Sequence, residues 1–395
     1  MWVDRTLQKT RLLAQYMMIV PKRWELKAAY NQGRLRNAQG TIEPADLCLV
    51  ETGQVLRRNI LEQCVSKYKN SGYRILFQMP TVGVGVIWFN DLRQCLDHTG
   101  IPCAIVQRGD AHFQEKWEEF RPNVFISMDL PEVLKSLDFD YINQYKKKHG
   151  CLRLFTPGAK HHFPKSGLST EDQWRLELAC SGQSVDAYFS MMAPEFFSQH
   201  LAEWEQAGFK YLTLPNACNP IDHYPLPENK DLDYFMATSH GIERVEITWQ
   251  YLKPIFKRYY GLWAGGSRWG FGIDFIPSEQ MPSFYARTRI APNPLMPYLI
   301  QYPMEICDRT FSAAACGIFQ ITNWTPVTDR FFTTDELTQV RTPVEFLQTF
   351  EYYIKRPEER NTIALKTLQR VFSQHTYFHR IDMLVSFLDT CQQLF

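Results

Sequence analysis

Asp308-Arg309-Thr310-Phe311-Ser312-Ala313-Ala314-Ala315-Cys316-Gly317-Ile318-Phe319-Gln320-Ile321-Thr322-Asn323 holds a helix-to-strand pattern within sixteen residues. A charged pair opens it and a run of small residues follows. One glycine then precedes an apolar segment ending in Asn323. The pattern predicts a short, tightly packed helix, a stop at Gly317 and a buried strand. A helix amino-terminus offers unpaired N–H groups to anions, and small residues let a backbone approach a bulky ligand, so a phosphorylated ligand is expected there.

Outward from this stretch the same rhythm recurs. Strands are predicted at Leu47–Val50, Arg74–Gln78, Cys103–Val106, Asn123–Ser127, Leu152–Phe155, Ala187–Ser190, Tyr211–Leu214, Leu232–Ala237 and Ile318–Thr322. Helical patterns fill the intervals, among them Val55–Tyr68, Trp88–His98, Gln114–Phe120, Pro131–Lys147, Val245–Tyr259, Val344–Tyr353 and the two that run from Pro357 to His375 and from His379 to Phe395. Strands alternating with helices at this spacing form βαβ units and a parallel sheet. The segment Pro220–Asn229 holds three prolines among polar residues, the composition of a linker. The predicted architecture is α/β, two Rossmann-like domains facing across a cleft, with an N-terminal helical extension at 1–44. The N-terminal domain spans 45–225 and the C-terminal domain, with its terminal helices, spans 226–395. In the extension, Leu7–Met18 has helical periodicity and Pro21 is expected to break it.

Composition narrows the function. The chain has 395 residues, 45% apolar and 22% charged, enough for two sizeable cores. Forty-three basic residues face forty-two acidic ones, so the basic surplus of a nucleic-acid binder is missing and no nucleic-acid partner is expected. Ten scattered cysteines without a CxxC pair fit a reducing compartment better than a zinc ribbon or a secreted scaffold. The first residues lack a signal-peptide pattern and no run of 18 apolar residues occurs. A cytoplasmic protein with no membrane span is expected.

Several smaller motifs compete for a chemical role. Gly83-Val84-Gly85 follows a strand but lacks the third glycine of a dinucleotide fingerprint, and reads foremost as a tight turn. Asp138-Phe139-Asp140 and Asp231-Leu232-Asp233 have a metal-bridging spacing that also arises by chance. His375 and His379 lack the carboxylate of a zinc helix, and His161-His162 reads as a solvated loop. Asp110 and His112 follow the Cys103–Val106 strand, at the end where open α/β sheets bind ligands, so either could deprotonate an acceptor hydroxyl. No GxSxG elbow, P-loop or kinase set appears.

An ordered set of segments carries a resemblance. Tyr285-Ala286-Arg287-Thr288-Arg289-Ile290-Ala291-Pro292-Asn293 precedes the opening stretch. Pro357-Glu358-Glu359-Arg360 and His375-Thr376-Tyr377-Phe378-His379-Arg380 follow it. In this order, over about residues 231–385, the chain resembles the C-terminal domain of the spore-maturation-type branch of the group 1 glycosyltransferases. The resemblance implies a GT-B fold with a sugar nucleotide held mainly by the C-terminal domain. It implies transfer of a sugar from a nucleotide-diphosphate donor to a hydroxyl-bearing glycan, protein or small-molecule acceptor. By position it assigns Arg309, Gly317 and Ala313 to Ala315 to the donor-site helix. Arg244 matches the arginine after the domain's first strand, Asn293 matches the family's asparagine, and Arg289 stands where the family usually has lysine. Arginines there would neutralise the departing diphosphate, so no metal or further cofactor is expected. Ser312 replaces the family's ribose-binding glutamate and Thr322-Asn323 replaces its Thr-Asp pair, which makes Ser312 and Glu305 the ribose candidates. Asp110 or His112 serves as base only in an inverting reaction. A non-catalytic sugar-nucleotide-binding relative and a nucleotide-sugar epimerase on the same double-Rossmann plan are the alternatives.

Overall fold

The computed structural model describes the chain apart from residues 1, 37–41, 80–83, 158–167, 183, 239–240, 242–243, 266 and 393–395. Eleven strands among the described residues form two wholly parallel sheets. In chain order they are β1 Ile75–Met79, β2 Cys103–Gln107, β3 Val124–Met128, β4 Leu152–Thr156, β5 Ala187–Ser190, β6 Lys210–Thr213, β7 Leu232–Ala237, β8 Gly261–Ala264, β9 Thr288–Asn293, β10 Phe319–Asn323 and β11 Thr338–Val340. The first sheet runs β2-β1-β3-β4-β5-β6 and the second β11-β10-β9-β7-β8. Each is doubly wound, and both match the expected Rossmann-like plan. In the second sheet the order reverses between β7 and β9, and the carboxyl ends at such a switch point are where ligands of open α/β sheets bind.

The strand sequences explain the burial. Every residue of β4, β9 and β10 is buried, as parallel strands covered on both faces require. Successive residues supply opposite cores. In β1, Ile75 and Phe77 join one apolar cluster and Leu76 the other.

The chain divides into two units. The unit of the first sheet comprises Arg58–Ile221, Met304–Ile306 and Gln374–Phe395. That of the second comprises Met1–Arg57, Asp222–Pro303 and Cys307–Ser373. Both chain ends therefore depart from the linear boundaries 45–225 and 226–395. The last helix, Tyr377–Gln392, carries an apolar stripe of Tyr377, Phe378, Ile381, Leu384, Val385, Leu388 and Cys391 that is buried with Trp88, Phe89 and Ile126 of the first-sheet unit. The amino-terminal helix, Trp2–Arg36, packs instead on the Arg244–Arg258 helix of the second-sheet unit.

Two local expectations are corrected. Leu47–Val50 is the start of the Leu47–Cys64 helix rather than a strand. Asp46 accepts the Leu49 N–H at 3.1 Å and caps the helix, a signal that the apolar run Leu-Cys-Leu-Val hides. Pro21 does not end the first helix, which continues to Arg36. Packing offsets the lost backbone bond: Leu26, Ala29 and Tyr30 are buried, and Tyr30 meets the Phe256 ring edge-on with centroids 5.7 Å apart.

Gly33 makes that helix contact possible. A Cβ at this position would overlap the carbonyl oxygen of Phe256 and approach that of Tyr259 to 2.7 Å. Because both obstacles are backbone, neither can swing aside. Gly33→Ala is expected to cost about 1–3 kcal/mol, the range for overpacking, despite alanine's better helix propensity. Denaturant unfolding checks this, and an unchanged or raised midpoint would remove the close approach from the account.

Candidate functional site

The residues that converge at the second sheet's switch point come from three places. Ala237 ends β7, Asn293 ends β9, and Arg309 is the second residue of the Asp308–Ala315 helix. Arg309 Nε donates to Asn293 Oδ1 at 2.8 Å, Nη2 donates to the same oxygen at 2.5 Å, and Nη1 donates to the Ala237 carbonyl at 2.6 Å. Asn293 is almost fully buried. Its Nδ2 donates to Thr310 Oγ1 at 2.9 Å and to Gln320 Oε1 at 3.4 Å, while Gln320 Nε2 donates to the Thr310 carbonyl at 2.9 Å. The asparagine is thus fixed by its own neighbours and holds the guanidinium across the ends of two strands.

The charge of Arg309 is the unusual feature. A guanidinium has five N–H donors, and three of these are used on neutral oxygens. No Asp or Glu pairs with the half-buried Arg309 among the described residues. Other buried arginines are treated differently: Arg153 pairs with Asp186 at 2.8 Å, Arg175 with Asp129 at 2.8 Å, and Arg360 with Glu43. A partly desolvated cation without a carboxylate is costly unless an anion completes it.

Arg244 opens the Arg244–Arg258 helix, which follows β7 and is half-buried at that residue. It and Arg309 both pull the Cys307 thiol pKa downward against the larger effect of desolvation, which pushes that thiol up to about 12, so both cations act at the same spot. The helix amino-terminus adds partial positive charge. Thr238 Oγ1, one residue beyond β7, is buried and has no hydrogen-bond partner among the described residues. Two arginines, a helix start and this hydroxyl bring positive charge and hydrogen-bond donors to the carboxyl end of the second sheet, an arrangement that can take an anion.

The remaining candidates lie elsewhere or do other work. Arg289 sits near the amino end of β9, away from the carboxyl ends. Its guanidinium donates to Asp233 Oδ1 at 2.6 Å, Glu43 Oε2 at 3.1 Å and the Lys230 carbonyl at 3.2 Å. Glu43 also holds Arg360, and burial pushes the neighbouring Lys230 ammonium down to about 8. This buried ionic cluster fastens the segment around Glu43 to the second sheet. Ala313, Ala314 and Ala315 are fully buried; Ala313 packs with Phe235, Tyr285 and Ile318, so the small residues serve the helix–sheet contact rather than a ligand. Gly317 stops the helix. Its φ is 71°, its N–H donates to the Ala314 carbonyl at 2.9 Å, and the Ile318 N–H reaches the Ala313 carbonyl at 3.4 Å, a Schellman arrangement.

Ser312 is half-buried, and its hydroxyl donates to the Arg309 carbonyl at 3.3 Å. Glu305 belongs to the first-sheet unit: the Ala193 N–H donates to the Met304 carbonyl at 2.6 Å and Asn216 Nδ2 to the Ile306 carbonyl at 2.8 Å. Asp110 and His112 do follow β2. Asp110 accepts the His112 N–H at 3.0 Å and Lys116 Nζ at 2.5 Å, and the lysine bond lowers its pKa, the wrong direction for a general base. His112 is exposed and pairs with Glu115 at 2.8 Å. Both residues organise the start of the Phe113–Phe120 helix.

The other motifs have structural explanations. Asp138 caps the Phe139–His149 helix, Asp231 pairs with Arg287, and His379 Nδ1 bonds Thr376 Oγ1 at 2.7 Å. Gly83, His161 and His162 lie outside the described residues, and Gly85 is within the Val84–His98 helix. Among the described residues no three His, Cys, Asp or Glu side chains are grouped to hold a metal ion, and no helix is long and apolar enough to cross a membrane. The sequence reading missed Thr238 and the Gln320–Thr310–Asn293 chain. Both are visible only once the strand order puts β7, β9 and β10 side by side.

Comparisons with known proteins bear on the fold. Residues 249–386 match the family model described as glycosyl transferase-like. Sucrose-phosphate synthase (tll1590) from Thermosynechococcus elongatus superposes with a TM-score of 0.53 at 12% identity, covering 84% of this chain and 97% of that one. Anabaena Alr3699/HepE in complex with UDP and glucose gives 0.52 at 10% identity, over 80% of this chain and 100% of the other. An alpha-glucosyltransferase in complex with UDP-glucose and DNA containing an abasic site gives 0.54 at 9% identity, over 81% and 99%. No curated protein matches in sequence. The fold is therefore that of the GT-B class, two Rossmann-like α/β domains in one chain.

The two arginines should respond differently to removal. Arg289→Ala takes the arginine from Asp233 and leaves Glu43 with Arg360 alone, and is expected to cost about 3–5 kcal/mol. Arg309→Ala removes hydrogen bonds to neutral oxygens only and should cost about 1–2 kcal/mol. Chemical denaturation of the two variants checks the contrast; equal losses would contradict the assignment of Arg289 to structure and Arg309 to a site.

Proposed function

We propose that the chain is a glycosyltransferase that moves a sugar from a nucleotide-diphosphate sugar to a hydroxyl-bearing acceptor. The observation that carries this reading is the Arg309 guanidinium, held across the ends of β7 and β9 with no carboxylate paired to it. Negative charge grows on the departing diphosphate as the glycosidic bond breaks. Preorganised cations at that position stabilise the transition state more than the ground state. Arg309, Arg244 and the amino end of the Arg244–Arg258 helix supply that charge, so the reaction needs no metal ion in this reading. Ser312, one turn along from Arg309, is the ribose contact. The UDP-bound neighbours support a uridine nucleotide as the first donor to try. The motif order over residues 231–385 supports the spore-maturation-type branch of the group 1 enzymes. The N-terminal domain takes the acceptor, a glycan, protein or small molecule, and the protein works in the cytoplasm.

A second reading, a sugar-nucleotide-binding relative without turnover, is favoured by one observation. Ser312 stands where a carboxylate is expected and already donates to its own helix. A serine grips a hydroxyl more weakly than a carboxylate does.

A thermal-shift screen against UDP-, GDP-, TDP- and CMP-sugars tests the donor site. At about 100 times its Kd, a ligand that binds only the native state adds about 2.7 kcal/mol, and the shift should vanish in Arg309→Ala. A shift that survives Arg309→Ala, or no shift with any nucleotide, rejects the site. Donor turnover should persist in EDTA; its loss would overturn the metal-independent reading. Binding without turnover over a broad acceptor panel would support the second reading.

A further inference from the structure

The Trp2–Arg36 helix has a face that the donor site does not use. Leu26, Ala29, Tyr30 and Gly33 point inward against the Arg244–Arg258 helix. Roughly opposite lie Met18, Pro21, Trp24, Ala28, Asn31 and Leu35, spaced three or four residues apart and all exposed. Met18 is 68% exposed, Trp24 66% and Leu35 84%. A soluble helix ordinarily turns charged residues outward; here, of the seven exposed positions from 18 to 35, only Glu25 is charged and five are apolar or small.

Bases border this stripe. Arg23 lies over the Trp269 ring at 5.8 Å and Lys27 over Trp24 at 5.9 Å, and these residues with Val20 line a groove of about 260 Å³. In sequence the helix carries eight Lys or Arg and two Asp or Glu, a net +6 in a chain whose total is +1. The whole basic surplus is concentrated in this element. Tryptophan is suited to a boundary between water and hydrocarbon, where its ring is buried and its N–H stays wet.

We infer that this helix is an interfacial docking element for a membrane surface rich in anionic lipid. It lies flat, with Met18, Trp24 and Leu35 entering the acyl boundary and Arg23 and Lys27 meeting lipid phosphates. Charge complementarity selects this occupant. Two copies of a +6 helix repel each other, and an acidic soluble partner leaves the apolar stripe unused. The helix is not a span, since no helix among the described residues is long and apolar enough to cross a bilayer. The inference stands apart from the donor site.

The test is flotation of the full chain with vesicles of phosphatidylcholine alone and with about a third phosphatidylglycerol. Binding is expected on the anionic vesicles and to fall at least about tenfold on the zwitterionic ones. It should be released at 1 M salt, where the Debye length falls to about 3 Å. Met18→Glu/Trp24→Glu and, separately, Arg23→Glu/Lys27→Glu should each reduce binding at least about tenfold, and Trp24→Phe should retain it. Circular dichroism and thermal melting confirm that the variants fold, and the salt response of the unaltered chain needs no variant. Equal binding to both vesicle types, or to neither, overturns the proposal. So does sedimentation showing a dimer that Met18→Glu/Trp24→Glu dissociates, because the stripe would then be an interface between copies.

Discussion

The bond from Arg309 across the ends of β7 and β9 is the constraint on which the site depends. It exists because Asn293 cannot turn away: Thr310 and Gln320 hold its amide nitrogen, which leaves Oδ1 facing the guanidinium. Thr310 is placed by the Asp308–Ala315 helix and Gln320 by β10, so three consecutive elements of one sheet determine one side chain. The alanines and Gly317 contribute by seating the helix. The alanines pack it on the sheet, and the left-handed residue after it turns the chain into β10. A guanidinium fixed in this way keeps its charge while its hydrogen bonds go to neutral acceptors.

Charge elsewhere in the unit has the opposite use. Arg289, Arg360, Glu43 and Asp233 neutralise one another at the amino ends of the strands. Two buried arginines meet two partly buried carboxylates there, which fastens the segment around Glu43 and leaves little for a ligand. The buried Arg289 and Arg360 are thus told apart from the half-buried Arg309 by the carboxylates they are paired with.

Much of the fold was legible in the sequence, because both sheets are parallel and buried strands are continuous apolar runs between helices. The places where the reading failed have physical causes. Leu47–Val50 is apolar enough for a strand, and only the cap at Asp46 marks it as a helix. β8, β9 and β11 were not expected as strands, and in β9 the sequence Thr-Arg-Ile-Ala-Pro-Asn mixes polar, charged and proline residues, so a wholly buried strand does not read as an apolar run. The last helix packs on the first sheet, a long-range contact that chain order hides. The site was half legible. The resemblance grouped Arg309, Asn293 and Arg244, and the structure puts Asn293 and Arg309 at the carboxyl ends of β9 and β7. It could not show that Arg289, only four residues before Asn293, occupies the other end of the same strand. Asp110 and His112 followed the correct strand end, yet a lysine six residues after Asp110 claims its carboxylate.

The central claim is that the diphosphate of a sugar nucleotide rests between Arg309 and the start of the Arg244–Arg258 helix. A crystal structure of the protein with UDP tests it most directly. Diphosphate oxygens should lie within hydrogen-bond distance of the Arg309 guanidinium, about 2.7–2.9 Å, and close to Arg244. UDP bound elsewhere, or at this site with its phosphates turned away from Arg309, would contradict it.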